Sequence, residues 1–488
     1  MITQRVDENI YEVPADMKLI KVEDKILNFN MKVPARIYAN EYLMERISKD
    51  KSIDQITNVA CLPGIRKHVI AMSDAHQGYG FCIGGVAATD IEGGAISPGG
   101  VGYDINCGVR LLKTGLEYSE VSAQLPELTE GLFHNIPSGL GSKGKLHITP
   151  TDLNQVLDEG INWAIEKGFG YDKDREFCED HGFTQGADSS LVSKRAKDRG
   201  IRQLGSLGSG NHFIEIQRVE EIFDDRAAKI MGIQKNQVTM MIHTGSRAMG
   251  HQVCTDSLQE IDHLMHRNGI IAPDRELGYA ISGTKEADRY LAQMRAAANF
   301  AWTNRHIIMH WARETFQSVL GLEPSQMELI YGLAHNILKQ EEHDLGNGMR
   351  GMVNVHRKGA TRAFPPGHPD VPDKYKEIGQ PVLIPGSMGT SSYLCVGQEK
   401  AMDLSFASTA HGGGREMSRS KAKRQFWGKT IKQELGKQGI VVRAASLKIL
   451  AEEAPLAYKN IDEVVGVSHN LGIIKKVAKL IPIGVTKG

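Results

Sequence analysis

The chain has 488 residues, long enough for a large core and for roughly three average domains. Its 58 Lys+Arg balance 58 Asp+Glu, so bulk charge cannot recruit nucleic acid, and an RNA- or DNA-binding role would need a local basic patch. No apolar run approaches the ~18 residues needed to span a bilayer, and the six cysteines are dispersed without a Cys-x-x-Cys pair, which excludes a disulfide scaffold and points to a reduced, cytoplasmic protein.

The N-terminus, "MITQRVDENIYEVPADMK", is polar and acidic, so no secretory leader is expected. A helix is expected over Glu41–Lys49. A glycine turn, "SDAHQGYG", then carries Asp74 and His76, and "SPGGVGYDINCGVR" carries Asp104 and Cys107. Helical spacing covers Thr151–Glu166; the charged, weakly periodic stretch 171–199 reads as a surface insertion. "GSLGSG" precedes Asn211, His212 and Glu215, and "VTMMIHTGSR" reads as a buried strand ending at His243. Helices are expected over Ser257–Arg267 and Glu286–Gln317, whereas "YGLAHN", with His335 and Asn336, fits either helix or strand. "GMVNVHRKG" and "QPVLIPGSMG" are strand-like runs closed by turns, and the Pro-rich 362–381 reads as an ordered loop. With no repeat and no clean boundary, residues 1–488 are expected to form one large mixed α/β (α+β) body with insertions.

Two features imitate known sites. "GLGSKGKL" (139–146) has a phosphate-loop skeleton, but Leu146 stands where a magnesium-binding Ser or Thr is needed, and no strand precedes it. His306 and His310 are spaced i, i+4, yet Ile307 replaces the glutamate of the H-E-x-x-H zinc motif, so packing or an interface accounts for them better. No K-x-D-G occurs, and the lysine nucleotidyl-transfer motif of ordinary nucleic-acid ligases is absent.

The remaining candidates share one form, a ligand delivered by a strand end or a glycine turn. Singly, a histidine after a strand is a core or edge residue, and an aspartate in a turn caps its own backbone. Together, thiolate, imidazoles and carboxylate suit a borderline divalent ion such as zinc, manganese or iron, and a cysteine can bridge two ions. Near the C-terminus, "PGSMGTSSY" (385–393) offers N–H and hydroxyl groups to phosphate. His411 precedes three glycines and then a basic run, Arg415, Arg419, Lys421, Lys423 and Arg424. That run is either a solvated charged helix or, beside the His-Gly-Gly-Gly loop, part of a phosphate-handling site in which histidine acts as base or nucleophile.

"GGVGYDINCGVR", "SDAHQGYG", "GSLGSGNHFIEI", "HTGSR", "AHN", "HRKGATRAFP", "PGSMGTSSY" and "HGGGREMSR" together resemble the motifs of the RtcB-type RNA ligases, from the seventies to the C-terminus. The resemblance implies the fold of that family and a GTP- and manganese-dependent ligase. Such an enzyme joins RNA 3′-phosphate or 2′,3′-cyclic phosphate ends to 5′-hydroxyl ends in tRNA splicing and RNA repair. It implies Asp104, Cys107, His212, His243 and His335 as ligands of two manganese ions, and His411 as the nucleophile that becomes guanylylated. Asn211, Glu215, Asn336, Ser387, Ser392, Gly412, Gly413, Gly414, Tyr458 and Lys487 would hold the guanylate, with Asp74, Arg247 and Arg415 near the reacting phosphates. The family more usually has alanine where this chain has Gly413, a change that keeps the backbone donor. RNA ends and GTP are the implied partners, with an archease activator, no membrane, and a monomer expected. Two other readings use the same residues: a binuclear metallophosphoesterase acting on RNA ends, and a metal-stabilised RNA-binding protein without catalysis.

Overall fold

The computed structural model describes residues 3–22, 25–346 and 348–488. Two large sheets organise it, with helices packed around them in a mixed α+β body. In the seven-stranded sheet the spatial order is Gln4–Asp7, Ile10–Val13, Ala35–Tyr38, Val69–His76, Ile83–Asp90, Met349–Lys358 and Asn336–Gly346. The eight-stranded sheet runs Glu328–Ala334, Gly108–Glu117, Gln237–Thr244, Phe213–Ile222, Ile474–Lys487, Ser392–Gly397 and Pro381–Ile384, with Val441–Ala444 pairing in parallel on Ile474–Lys487. His335 alone separates the strand that ends at Ala334, in the eight-stranded sheet, from the strand that begins at Asn336, in the seven-stranded sheet. "YGLAHN" is therefore strand on both sides of its histidine. The apolar runs expected as strands at 238–247, 351–359 and 380–389 overlap the strands Gln237–Thr244, Met349–Lys358 and Pro381–Ile384.

Helix Lys285–Leu320 is the long element expected from the Glu286–Gln317 periodicity. The Thr284 hydroxyl caps its start by accepting the Ala287 N–H, and Gly321, at φ 68°, ends it in the left-handed region. It packs on the strand Gln237–Thr244 and on helices Leu125–Asn135, Pro150–Glu159 and Arg247–Arg267. Its buried face is partly polar, and that matters for the site. Asn304 Oδ1 accepts the Gly205 and Ser206 N–H groups at 2.7 and 3.1 Å. Arg305 donates to the Asn106 and Thr244 carbonyls at 2.6 and 2.8 Å. His306 is packing: its ring nitrogens meet Arg110 Nη1 and the Phe169 carbonyl at 3.0 and 2.9 Å.

Two helices differ from expectation. Thr151–Glu166 is two helices, Pro150–Glu159 and Ile161–Glu166, because Gly160 breaks the run at φ 60°, where an added Cβ would lie 2.6 Å from the Gly182 carbonyl. Ser257–Arg267 is only the second half of helix Arg247–Arg267.

The segment 171–199 carries exposed charges and also reaches the interior. The Asp174 carboxylate accepts both Arg313 Nη groups at 2.6 and 2.8 Å, with both side chains 1% exposed. Glu179 accepts the Ala334 N–H at 3.0 Å and pairs with Lys339, so the segment braces the strand that leads to His335. Asp174→Ala leaves the Arg313 guanidinium buried without its counter-ion and is expected to cost about 3–5 kcal/mol. Urea unfolding reads that loss, and an unchanged midpoint would refute it. No helix among the described residues is long and apolar enough to cross a membrane.

Candidate active site

The register of the eight-stranded sheet gathers the candidate ligands. Gly108 lies opposite Thr244 and Ala334, and Phe213 lies opposite His243 and Lys487. Cys107, His212, His243, His335 and Lys487 thus emerge at one end of one sheet, although they are up to 380 residues apart in sequence. Backbone hydrogen bonds tie the loops together there: His335 N–H donates to the Cys107 carbonyl at 2.9 Å, and Asn106 N–H to the Asn336 carbonyl at 2.7 Å.

Two ligand groups result, Asp104–Cys107–His212 and Cys107–His243–His335, and within each the ligand atoms lie within 4.8 Å of one another. Cys107 belongs to both. Its Sγ is 3.4 Å from Nε2 of His212 and 3.4 Å from Nε2 of His243. Asp104 Oδ2 is 2.8 Å from His212 Nε2, and the Nε2 atoms of His243 and His335 are 3.2 Å apart. On the far side of two rings, Nδ1 of His212 donates to the Leu207 carbonyl at 3.1 Å and Nδ1 of His243 to the Asn211 carbonyl at 3.2 Å. At His243 that bond selects the tautomer that turns an Nε2 lone pair inward.

The electrostatics suit cations. Burial, and then the neighbouring imidazoles, push His243 and His335 well below the ordinary imidazole value, so both are neutral. Burial alone would raise the Asp104 carboxyl, but the His212 imidazole outweighs it and holds the carboxyl down to about 2. Burial, and next the Asp104 carboxylate, push the Cys107 thiol well above its usual value. A bound divalent ion reverses that last shift, because it deprotonates a coordinating thiol. Imidazole nitrogens facing each other at 3.2 Å, with a sulfur shared between two groups, fit a pair of borderline divalent ions.

His411 stands beside this cluster, its ring centroid 4.8 Å from that of His335. It follows the short strand Ser408–Ala410, which pairs with Ala360–Arg362. Asp74, fully buried on strand Val69–His76, receives His411 Nδ1 at 2.6 Å, the His411 N–H at 3.0 Å and the Gly412 N–H at 3.3 Å, all on Oδ2. The Nδ1 proton is thereby committed, and Nε2 carries the free lone pair. Burial raises the Asp74 carboxyl, but His411, and then Lys459, bring it net below its ordinary value. Lys459, itself buried, donates to the Ala75 carbonyl next door and is lowered by that burial to about 8.

A cavity of about 510 Å³ joins these parts. It is lined by the five metal-type ligands, His411, and the loop Gly412, Gly413 and Gly414. Asn211, Asn336, Ser387, Tyr458, Lys487 and Arg415 also line it. Four expected residues stand behind the lining instead. Asp74 holds His411. Glu215 and Ser392 are joined through Gln217, whose Nε2 reaches Glu215 Oε2 at 2.9 Å and Ser392 Oγ at 3.2 Å. Glu215 Oε1 has no partner, and burial, partly offset by Gln217 and Lys487, lifts the carboxyl to about 8. Arg247, at φ 55°, reaches Ser206 Oγ, the Gly139 carbonyl and Ser142 Oγ at 3.2–3.4 Å, so it ties the "GLGSKGKL" loop to the ligand loop.

The basic run is less free than its composition suggests. Arg415 Nη1 is spent on Glu453 and Tyr458, both at 3.1 Å, and Glu452 pairs with Arg419 and Lys423 at 3.2 and 3.1 Å. Lys421 and Arg424 are exposed on the helix Arg419–Gln425. Glu453, fully buried among Arg415, Lys487 and Tyr458, was missed in the sequence, as were Gln217, Asn304, Arg305 and Lys459. None lies in a glycine turn, and only the three-dimensional contacts single them out.

The two glycines after Gly412 differ in what they tolerate. At Gly413 a Cβ would sit 3.7 Å from the Lys459 carbonyl and 3.8 Å from Tyr458 Cβ, ordinary contact, so Gly413→Ala is expected to fold and to gain about 0.4–1 kcal/mol from a stiffer unfolded chain. At Gly414, φ is +65° and a Cβ would lie 2.3 Å from the Asp74 carbonyl. Gly414→Ala is expected to lose about 1–3 kcal/mol and to displace Asp74. Thermal melts of the two variants separate them, and equal shifts would refute the distinction.

Fold and cavity define a mixed α+β protein with a candidate two-ion centre opening onto a cavity lined by a glycine loop. The sequence profile described as tRNA-splicing ligase RtcB matches residues 55–488. The tRNA-splicing ligase RtcB of Methanococcus maripaludis is 50% identical over 99% of both chains, and that of Aeropyrum pernix is 50% identical over 100% of this chain and 99% of its own. That of Archaeoglobus fulgidus is 52% identical over 94% of this chain and 95% of its own. The chain belongs to the tRNA-splicing ligase RtcB family.

Proposed function

We propose that the protein joins RNA 3′-phosphate or 2′,3′-cyclic phosphate ends to 5′-hydroxyl ends, consuming GTP through a guanylylated His411, in tRNA splicing and RNA repair. Family membership supports RNA ligation. The observation that carries the finer reading is the 2.6 Å bond from His411 Nδ1 to buried Asp74, with His411 packed against His335 of the ligand cluster.

Asp104, Cys107, His212, His243 and His335 would hold two manganese ions, with Cys107 shared. When bound, the ions would neutralise triphosphate charge and make the α-phosphorus more electrophilic. His411 Nε2, its lone pair freed by the Asp74 bond, attacks that phosphorus in line; the N–P bond forms, the α–β P–O bond breaks and pyrophosphate leaves. Asp74 keeps the Nδ1 proton in place and stabilises the positive ring that results. The Gly414 N–H, with Ser387 and Lys487, faces the guanylate phosphate, while the Gly412 and Gly413 N–H groups hold the loop on Asp74 and the Pro385 carbonyl. Asn211, Asn336 and Tyr458 line its walls; Glu215 and Ser392 support them from behind.

An RNA 3′-phosphate oxygen then takes the guanylate, breaking the N–P bond and restoring His411. The 5′-hydroxyl oxygen next attacks the activated 3′-phosphorus, its proton is lost, and GMP leaves. Arg247 and Arg415 hold the loops on which these phosphates bear. Lys421 and Arg424 supply sequence-independent contacts to the RNA backbone. The same reading has a monomer acting in the cytoplasm, with an archease-type activator. A phosphoesterase would leave the His411–Asp74 pair and the glycine cradle without use.

The test is to incubate the protein with α-labelled GTP and manganese and denature it. Acid-labile, alkali-stable label on the chain is expected. Opening of cyclic phosphate ends without any label would instead favour the phosphoesterase, and failure of both the non-catalytic binding protein.

A further inference from the structure

One flank of the cavity is used by neither the ligand cluster nor the glycine cradle. There, three aromatic rings from three separate elements meet: Tyr79 from the loop after strand Val69–His76, Tyr103 from the turn before Cys107, and His251 from helix Arg247–Arg267. The Tyr103 and His251 rings are nearly parallel, with centroids 4.8 Å apart and planes at 27°. Tyr79 meets Tyr103 edge-on at 5.6 Å and 65°. The two tyrosines are half-buried and His251 is exposed, so the stack presents ring surface to the cavity rather than to the core.

The stack is also held from behind. Lys358, buried, donates to the Tyr79 and Phe81 carbonyls at 2.6 and 3.0 Å, and the Glu276 carboxylate accepts the Gly80 N–H at 3.2 Å. Tyr103 is covalently next to Asp104, so whatever rests on its ring is tethered close to the Asp104–Cys107–His212 group. A rigid, exposed aromatic surface at the rim of a polar, phosphate-accepting cavity matches one ligand chemistry well: a nucleobase whose own phosphate or hydroxyl enters the cavity. Every base has a π-face, so such stacking holds an end without reading its sequence.

Resting on the RNA-ligase reading above, we propose that Tyr79, Tyr103 and His251 form a stacking platform for the terminal base of an RNA end, which delivers that end's phosphate or hydroxyl to the Asp104–Cys107 side of the cavity. The platform would be indifferent to base identity. The 3′-phosphate strand and the 5′-hydroxyl strand share this chemistry, and the experiment distinguishes them.

The full chain is assayed with GTP and manganese on paired RNA strands, each with its terminal nucleotide intact or abasic. Tyr103→Ala is expected to raise KM for one strand about tenfold, and Tyr103→Phe to stay near wild type. Removing the terminal base from that strand raises the wild-type KM by a like factor and adds nothing in Tyr103→Ala, which identifies the strand. If base removal weakens wild type and Tyr103→Ala equally at both ends, the platform is refuted. Guanylylation is read on the same samples. Its absence in wild type would overturn the ligase reading itself, whereas normal guanylylation with additive losses overturns only the platform. If Tyr103→Ala proves to disturb Asp104 and lose guanylylation, His251→Ala decides by the same abasic comparison: loss of sensitivity to the base supports the platform, and retained sensitivity refutes it.

Discussion

His411→Ala is expected to abolish covalent labelling by GTP, and Asp74→Asn to lower the labelling rate about 10⁴-fold while the nucleotide still binds. The two variants fail for different reasons. Alanine removes the only Nε2 placed beside the ligand cluster on the glycine loop. Asparagine keeps the shape of Asp74 but can present its NH₂ to His411 Nδ1, favouring the tautomer with the proton on Nε2. The nucleophilic lone pair then points at the amide rather than into the cavity. The carboxylate also accepts the His411 and Gly412 N–H groups on the same oxygen, at 3.0 and 3.3 Å, so its loss loosens the start of the loop as well. Single-turnover labelling against GTP concentration separates the effects: the maximal rate should collapse in Asp74→Asn with little change in the half-saturating concentration. A rate within tenfold of wild type would remove Asp74 from the mechanism.

Cys107→Ala should be nearly as damaging, through the metal. Cys107 is the one side chain common to both ligand groups, so its loss takes a ligand from each ion at once while Asp104, His212, His243 and His335 remain. A ligand that binds only the folded chain stabilises it by about 2.7 kcal/mol at a hundredfold excess over its Kd. Manganese is thus expected to raise the melting temperature of the wild-type chain and to leave that of Cys107→Ala almost unmoved. Guanylylation should disappear in parallel. The substitution itself leaves a small cavity at a 2% exposed position and should not unfold the protein. An undiminished manganese shift in Cys107→Ala would show that the ions, if bound, sit elsewhere.

The candidate site residues were legible because each is announced locally. Asp104 and Cys107 follow a glycine turn, His243 ends an apolar run, and His411 precedes three glycines. Resemblance then supplied what spacing could not, namely that these turns belong to one site. The residues that went unread are those whose importance lies in a partner far along the chain. Glu453 matters because Arg415 and Lys487 converge on it, and Arg305 matters because its guanidinium holds the Asn106 carbonyl of the cysteine loop. In sequence, Glu453 is one acid of a helix end and Arg305 one base of an amphipathic helix. Helix boundaries show the same limit: the periodicity of 151–166 is continuous, and the break falls at Gly160, at φ 60°, where the Gly182 carbonyl leaves no room for a Cβ.

What the sequence by itself determined is the inventory: mixed α+β elements, ligand types borne on turns, and a histidine–glycine loop, because propensity, periodicity and turn chemistry act over a few residues. Only the tertiary structure decided that His212 and His243 flank one thiol, that Asp74 fixes the face His411 presents, and that Arg415 is bound rather than free. Those outcomes depend on strand register and on which charges meet in the interior, where pairing distances of about 3 Å settle the protonation and reach of each group.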